Sequence, residues 1–139
     1  MLGRAGKESL MDSGNAQREI YKQVVDTSHK YTNVYASDYI GSGNAHHHYD
    51  IVHKEEGKPD VLLANIRFQD GAIKEAGING VMDENLIAIV IDRLRGFQSG
   101  KFSTRENAIA LTKLEEALMW LKERKRGRES RGVEGTHKV

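Results

Sequence analysis

Residues 103–128 read STRENAIALTKLEEALMWLKERKRGR, and this stretch decides the fold. Ser103, Thr104, Arg105 and Glu106 have the spacing of a capping box, in which a hydroxyl satisfies a backbone N–H of the first turn and a carboxylate reaches back. A helix is therefore expected to start here. Ala108, Leu111, Leu114, Leu118 and Leu121 follow at steps of three and four, which gathers them on one face. The stripe dissolves into a basic run, Lys122-Glu123-Arg124-Lys125-Arg126-Gly127-Arg128, and Gly127 and Gly132 end the pattern. Upstream, Asp83 can cap an earlier helix whose Leu86, Ile87, Ile89, Val90, Ile91 and Leu94 make a broad apolar stripe. With Gly96 to Phe102 as the turn, the two segments form an αα-hairpin over residues 82–131.

Residues 18–72 have a different texture. Ile20 to Val25 and Tyr31 to Tyr35 are short β-branched and aromatic runs separated by Asp26-Thr27-Ser28-His29, the pattern of strand, turn, strand. His48 to His53 reads as a third strand, and Glu55 to Asp60 as a reversal. In the fourth, Leu62, Ala64, Ile66 and Phe68 alternate with Asn65, Arg67 and Gln69, so one face is apolar and the other wet. Ile73 to Val81, with Gly77 and Gly80, joins the two parts. The expected class is α+β, a small antiparallel sheet followed by a C-terminal helical hairpin, as one domain over residues 18–139. Residues 1–17 show no sustained apolar period and read as a flexible arm.

The 139-residue chain is 38% hydrophobic and 29% charged, a balance that favours association over a large private core. A net charge of +1 provides no global cationic field, so basicity is local to the helix end. The chain lacks cysteine, which removes disulfides and thiolate chemistry. It also lacks an apolar run of roughly 18 residues, so no membrane segment is expected.

Candidate chemistry is sparse. His46, His47 and His48 alternate faces on a strand and cannot converge on one metal ion unaided. Gly41-Ser42-Gly43-Asn44 lacks the Lys-Ser/Thr ending of a phosphate loop. Asp83, Glu84 and Asp92 suit a helix N-terminus and a solvated face, and no nucleophile, base and orienting group can be assembled. Neither catalysis nor a cofactor is expected. The basic run is accounted for by a solvated helix end or, with Phe97, Asn107 and Trp120 near it, by the parts of a nucleotide pocket. Aromatic and guanidinium planes sandwich a base, arginines pair with phosphate, and an amide reads a donor–acceptor edge. Asn107 and Arg124 lie 17 positions apart, hence roughly 25 Å along a helix. One small nucleotide meets both only if they come from two chains packed antiparallel, with the Leu stripe as the seam. The competing reading is a basic helical hairpin that binds nucleic acid.

The segments Ile73 to Val81, Leu86 to Leu94, Arg105 to Leu121 and Arg131 to His137 closely resemble the first Thoeris anti-defence family of phage proteins. The hairpin is also similar to that of a phage sponge for the cyclic nucleotides of CBASS immunity. The resemblance implies a non-enzymatic sponge in the cytoplasm of the infected bacterial host. It would sequester the cyclic ADP-ribose isomers that TIR-domain enzymes make as an alarm. Some family members also take up cyclic oligonucleotides at a separate site. The resemblance further implies a homo-oligomer, a dimer or up to a hexamer, with no DNA partner. Carried over by spacing, Phe97 and Arg124 stack on the adenine, Asn107 hydrogen-bonds and Arg128 meets the phosphates.

Overall fold

The alternation across residues 61–67 appears in the structure as alternating exposure. Leu62, Ala64 and Ile66 are half-buried, while Val61, Leu63, Asn65 and Arg67 are exposed. The computed structural model describes the backbone of residues 22–25 and all of residues 30–139. The expected arm over residues 1–17, the start of the first strand at Ile20 and Tyr21, and the turn Asp26–His29 lie outside the described residues. The strands are β1 (Lys22–Val25), β2 (Thr32–Ala36), β3 (His48–His53) and β4 (Val61–Arg67). They pair antiparallel in the order β1-β2-β3-β4, a meander in which each strand meets its sequence neighbour. Such pairing needs only reversals between strands. Between β3 and β4 the Lys58 N–H donates to the Glu55 carbonyl at 3.0 Å, and Gly57 takes the positive φ of 78° that the turn requires.

The core of this first unit is small. Val52 and Ala36 are fully buried and Tyr35 nearly so. Asp50 is also buried, and it accepts a hydrogen bond from Asn65 Nδ2 at 2.6 Å across the β3–β4 pair. The loop from β2 to β3 closes on Asp38. Its carboxylate accepts the His47 N–H at 3.0 Å and His46 Nδ1 at 3.2 Å. Burial pushes the Asp38 carboxyl up, but hydrogen bonds from the backbones of His47 and His48 and from the His46 ring outweigh it. The group is held below the ordinary carboxylate range. His47 is buried, and its Nε2 donates to the Ser42 carbonyl at 2.8 Å. His48 stands in β3 opposite Arg67. His46 and His47 thus fasten this loop. Among the described residues no three His, Asp or Glu side chains stand where they could hold a metal ion.

The chain divides into two compact units after Gly71. The second comprises α1 (Ile73–Ala76), α2 (Asp83–Gln98) and α3 (Arg105–Ser130). No described helix is long and apolar enough to cross a membrane. Both helix starts differ by a residue from the expectation. Met82, not Asp83, is the N-cap of α2, and Asn85 Oδ1 reaches back to accept its N–H at 2.8 Å. Asp83 and Glu84 instead occupy the first turn, where the helix dipole favours acids. Thr104, not Ser103, caps α3, its hydroxyl accepting the Asn107 N–H at 3.0 Å. Two consecutive hydroxyl residues gave two possible registers, and the turn chose the second.

Within the hairpin only Ile91 among the large apolar side chains is fully buried. Leu86, Ile87 and Leu94 on α2, and Leu111, Leu114, Leu118 and Leu121 on α3, are half-buried. Ile89, Ile109, Met119 and Trp120 are exposed, Trp120 at 63%. Two helices cover one face of each other, and the apolar surface here is wider than that face.

Candidate ligand site at the two ends of the hairpin

The four candidate residues fall into two pairs at opposite ends of α3. At the turn, the Gln98 amide grips the start of α3. Its Nε2 donates to the Thr104 carbonyl at 3.1 Å, and its Oε1 accepts the Thr104 N–H at 3.0 Å. Thr104 in turn caps Asn107. A continuous chain of contacts therefore runs from the residue beside Phe97 to Asn107. Phe97 is half-buried, and the Arg93 guanidinium lies over its ring at 5.1 Å from the centroid. Neither Gln98 nor Arg93 was singled out from the sequence. The Arg93–Phe97 pair was legible as a spacing of four on a helix, whereas the Gln98 clamp depends on the path of the turn.

At the far end, Arg124 is exposed and makes no hydrogen bond or ion pair among the described residues. Arg128 differs sharply. It is only 8% exposed, and its guanidinium gathers the C-terminal tail. Nε donates to Glu134 at 3.2 Å, Nη1 to the Lys138 carbonyl at 2.8 Å, and Nη2 to the carbonyls of Val133 and Thr136, both at 2.9 Å. One N–H of the fork is left without an acceptor among the described residues. The resemblance implies a phosphate contact for Arg128; in the structure its guanidinium is the post to which the tail is tied. The tail is also held by a helix-ending motif. Gly132, at φ 74°, donates to Glu129, and Val133 donates back to the Arg128 carbonyl at 3.1 Å. Beyond it, the Lys74 N–H donates to the Gly135 carbonyl at 2.8 Å and His137 Nδ1 to Glu75 at 2.6 Å.

The basic run is less cationic in space than in sequence. Arg126 Nε donates to Glu123 at 3.1 Å, and that contact raises the Arg126 pKa. With Arg128 buried, Lys122, Arg124 and Lys125 remain as its exposed cations without an acidic partner among the described residues. A groove of about 580 Å³ lies along the α2–α3 seam, with Ile91 and Leu118 in its wall and the Arg95–Glu115 ion pair of 2.8 Å across it. None of the four candidate residues lines it. Two ion pairs, Arg95–Glu115 and Arg126–Glu123, take up four of its six charged side chains, leaving Asp92 and Lys122.

Residues 62–125 match the family model described as Acb2/Tad1, hairpin domain. Over 75 residues the chain is 63% identical to Thoeris anti-defense 1 of Bacillus phage SBSphiJ7. That alignment takes in 54% of this chain and 53% of the relative, so the match spans about half the length of each. The resemblance read from the sequence is borne out by both. The family-model match contains Phe97, Asn107 and Arg124 and stops short of Arg128.

Proposed function

We propose that this chain is a phage anti-defence protein. It binds the cyclic ADP-ribose isomers made by TIR-domain enzymes and withholds them from Thoeris immunity, in the cytoplasm of the infected host, without cleaving them. The names of the matched relative and hairpin domain support the setting. The observation that carries the reading is the unbroken α3. It holds Asn107 and Arg124 roughly 25 Å apart on one rigid rod. A second copy packed antiparallel brings the Phe97–Asn107 end of one hairpin to the Arg124–Arg128 end of the other. Two-fold symmetry then makes two equal pockets. In each, Phe97 and Arg124 sandwich the adenine and Asn107 reads its edge. Arg128 offers phosphate the N–H that the tail leaves over. Nanomolar capture requires about −12 kcal/mol, which one stack and several charge-assisted contacts in a closed pocket can reach. The same reading extends to the cyclic oligonucleotides of CBASS at a separate site, on the strength of the hairpin resemblance. The pairing of Arg126 and the burial of Arg128 weigh against a general nucleic-acid grip.

The test is capture and release. The protein is incubated with the products of a TIR-domain enzyme, freed of unbound nucleotide by ultrafiltration, and heat-denatured. Intact cyclic nucleotide is expected in the supernatant, and native mass is expected to show a dimer or larger assembly. Conversion of the nucleotide would reveal an enzyme. Undiminished capture by both Phe97→Ala and Arg124→Ala would overturn the shared pocket.

A further inference from the structure

Arg93 stands on the Phe97 ring without a polar partner. Arg105 and Arg124 on the hairpin also lack one among the described residues, whereas four other arginines are engaged. Arg95 donates to Glu115 at 2.8 Å, Arg126 to Glu123, Arg128 to the tail and Arg131 Nη1 to the Val139 carbonyl at 2.7 Å. Arg93 is exposed and, among the described residues, makes no hydrogen bond or ion pair. Its guanidinium is nevertheless held, 5.1 Å from the Phe97 centroid and within cation–π reach. A guanidinium so placed has lost part of its side-chain freedom before any ligand arrives, which lowers the cost of binding. It is planar, weakly hydrated and shaped for bidentate pairing with phosphate. One face of the ring is covered by this cation, so a stacked base would take the other.

We infer that Arg93 is an anion-binding residue of the Phe97 site, giving its donors to the phosphates of the nucleotide whose base stacks on the opposite face of the ring. This rests on the proposal that Phe97 receives a base. It adds a third guanidinium to the pocket, supplied by the chain that supplies Phe97, opposite the Arg124 of the second copy. The phosphates are then clasped from both chains.

The experiment uses the full-length protein and the cyclic ADP-ribose isomers released by a TIR-domain enzyme, with capture measured at low and high salt. Arg93→Met keeps an apolar stem on the ring and removes the charge; Arg93→Lys keeps the charge. At low salt Arg93→Met is expected to weaken capture by about 10- to 100-fold, the loss of one charge-assisted contact. The deficit should shrink at high salt, because the contact is ionic and exposed, and Arg93→Lys should recover part of it. Wild-type affinity in Arg93→Met would overturn the inference and leave the proposed function standing. So would an equal loss at both salt concentrations that lysine does not relieve, since Arg93 would then only prop the ring. Failure of the wild-type protein to capture any isomer would overturn both.

Discussion

Replacing Arg128 by Met tests whether this buried arginine holds the tail. The substitution removes contacts to Glu134 and to the carbonyls of Val133, Thr136 and Lys138. A hydrogen bond to a charged group is worth about 1.5–3 kcal/mol, so a plain sum over four would be large. The sum overstates the effect, because a released tail rehydrates its carbonyls and Glu134 returns to water. The cost is therefore bounded by the free energy of docking the tail, and the loss of a buried pair sets it at about 3 kcal/mol. That corresponds to about a 100-fold change in the opening equilibrium. Amide hydrogen exchange reads it directly. Lys74, whose N–H donates to Gly135, and Val133, whose N–H donates to the Arg128 carbonyl, should lose protection toward that of an unstructured chain. Amides in the middle of α3 should not change. Glu134→Gln should produce a smaller loss, since an amide oxygen can still accept from Nε. Unaltered protection at Lys74 and Val133 in Arg128→Met would refute the role given to Arg128.

Two further substitutions probe local features. Thr104→Ala removes the α3 cap and should cost about 1 kcal/mol in urea unfolding at fixed protein concentration, while Ser103→Ala should change stability by less than about 0.5 kcal/mol; the reverse ranking would return the cap to Ser103. The Asp38 carboxyl is held below its ordinary value, so its stabilising effect is complete above the unfolded carboxylate pKa and is lost as pH falls through the folded one. The stability gap between wild type and Asp38→Asn should therefore be widest near neutral pH and narrow below the ordinary carboxylate range, and a gap constant with pH would show that the carboxylate charge is not what closes the loop.

The parts of the fold that were legible in the sequence are those fixed by periodicity over several residues. Alternation located β4, and the steps of three and four located both long helices. Choices between adjacent residues were not legible. Ser103 and Thr104 can both cap, and only the course of the turn, gripped by Gln98, selects Thr104. At the candidate site, residue type announced Phe97, Asn107 and Arg124 as useful parts. The tail-holding contacts of Arg128 were hidden because its partners are mostly backbone carbonyls, which every residue possesses. The His cluster shows the converse. A conspicuous run of one residue type resolves into separate contacts to Asp38 and Ser42 that fasten a loop.

The structure also shifts where a second copy would bind. The Leu stripe of α3 reads in the sequence as the seam between chains, yet Leu111, Leu114, Leu118 and Leu121 are half-covered within the single hairpin. Trp120 follows Leu111 by nine residues, which at about 100° per residue puts it on the opposite face, and Ile109 lies close to it by the same count. Both are exposed, as is Met119 between that face and the stripe. Three exposed apolar side chains on a helix otherwise rich in Lys and Glu suit an interaction surface better than scattered exposure would. We therefore place the seam of the proposed assembly on Ile109, Met119 and Trp120. By the same count Arg124 flanks that face whereas Asn107 falls on the Leu stripe, so the proposed pocket requires an antiparallel partner to reach around α3 at its Asn107 end. Trp120→Ser should lower the native mass of the assembly and weaken ligand capture together. Loss of mass with capture intact would mean that one chain suffices, and the 25 Å argument for a shared pocket would fail.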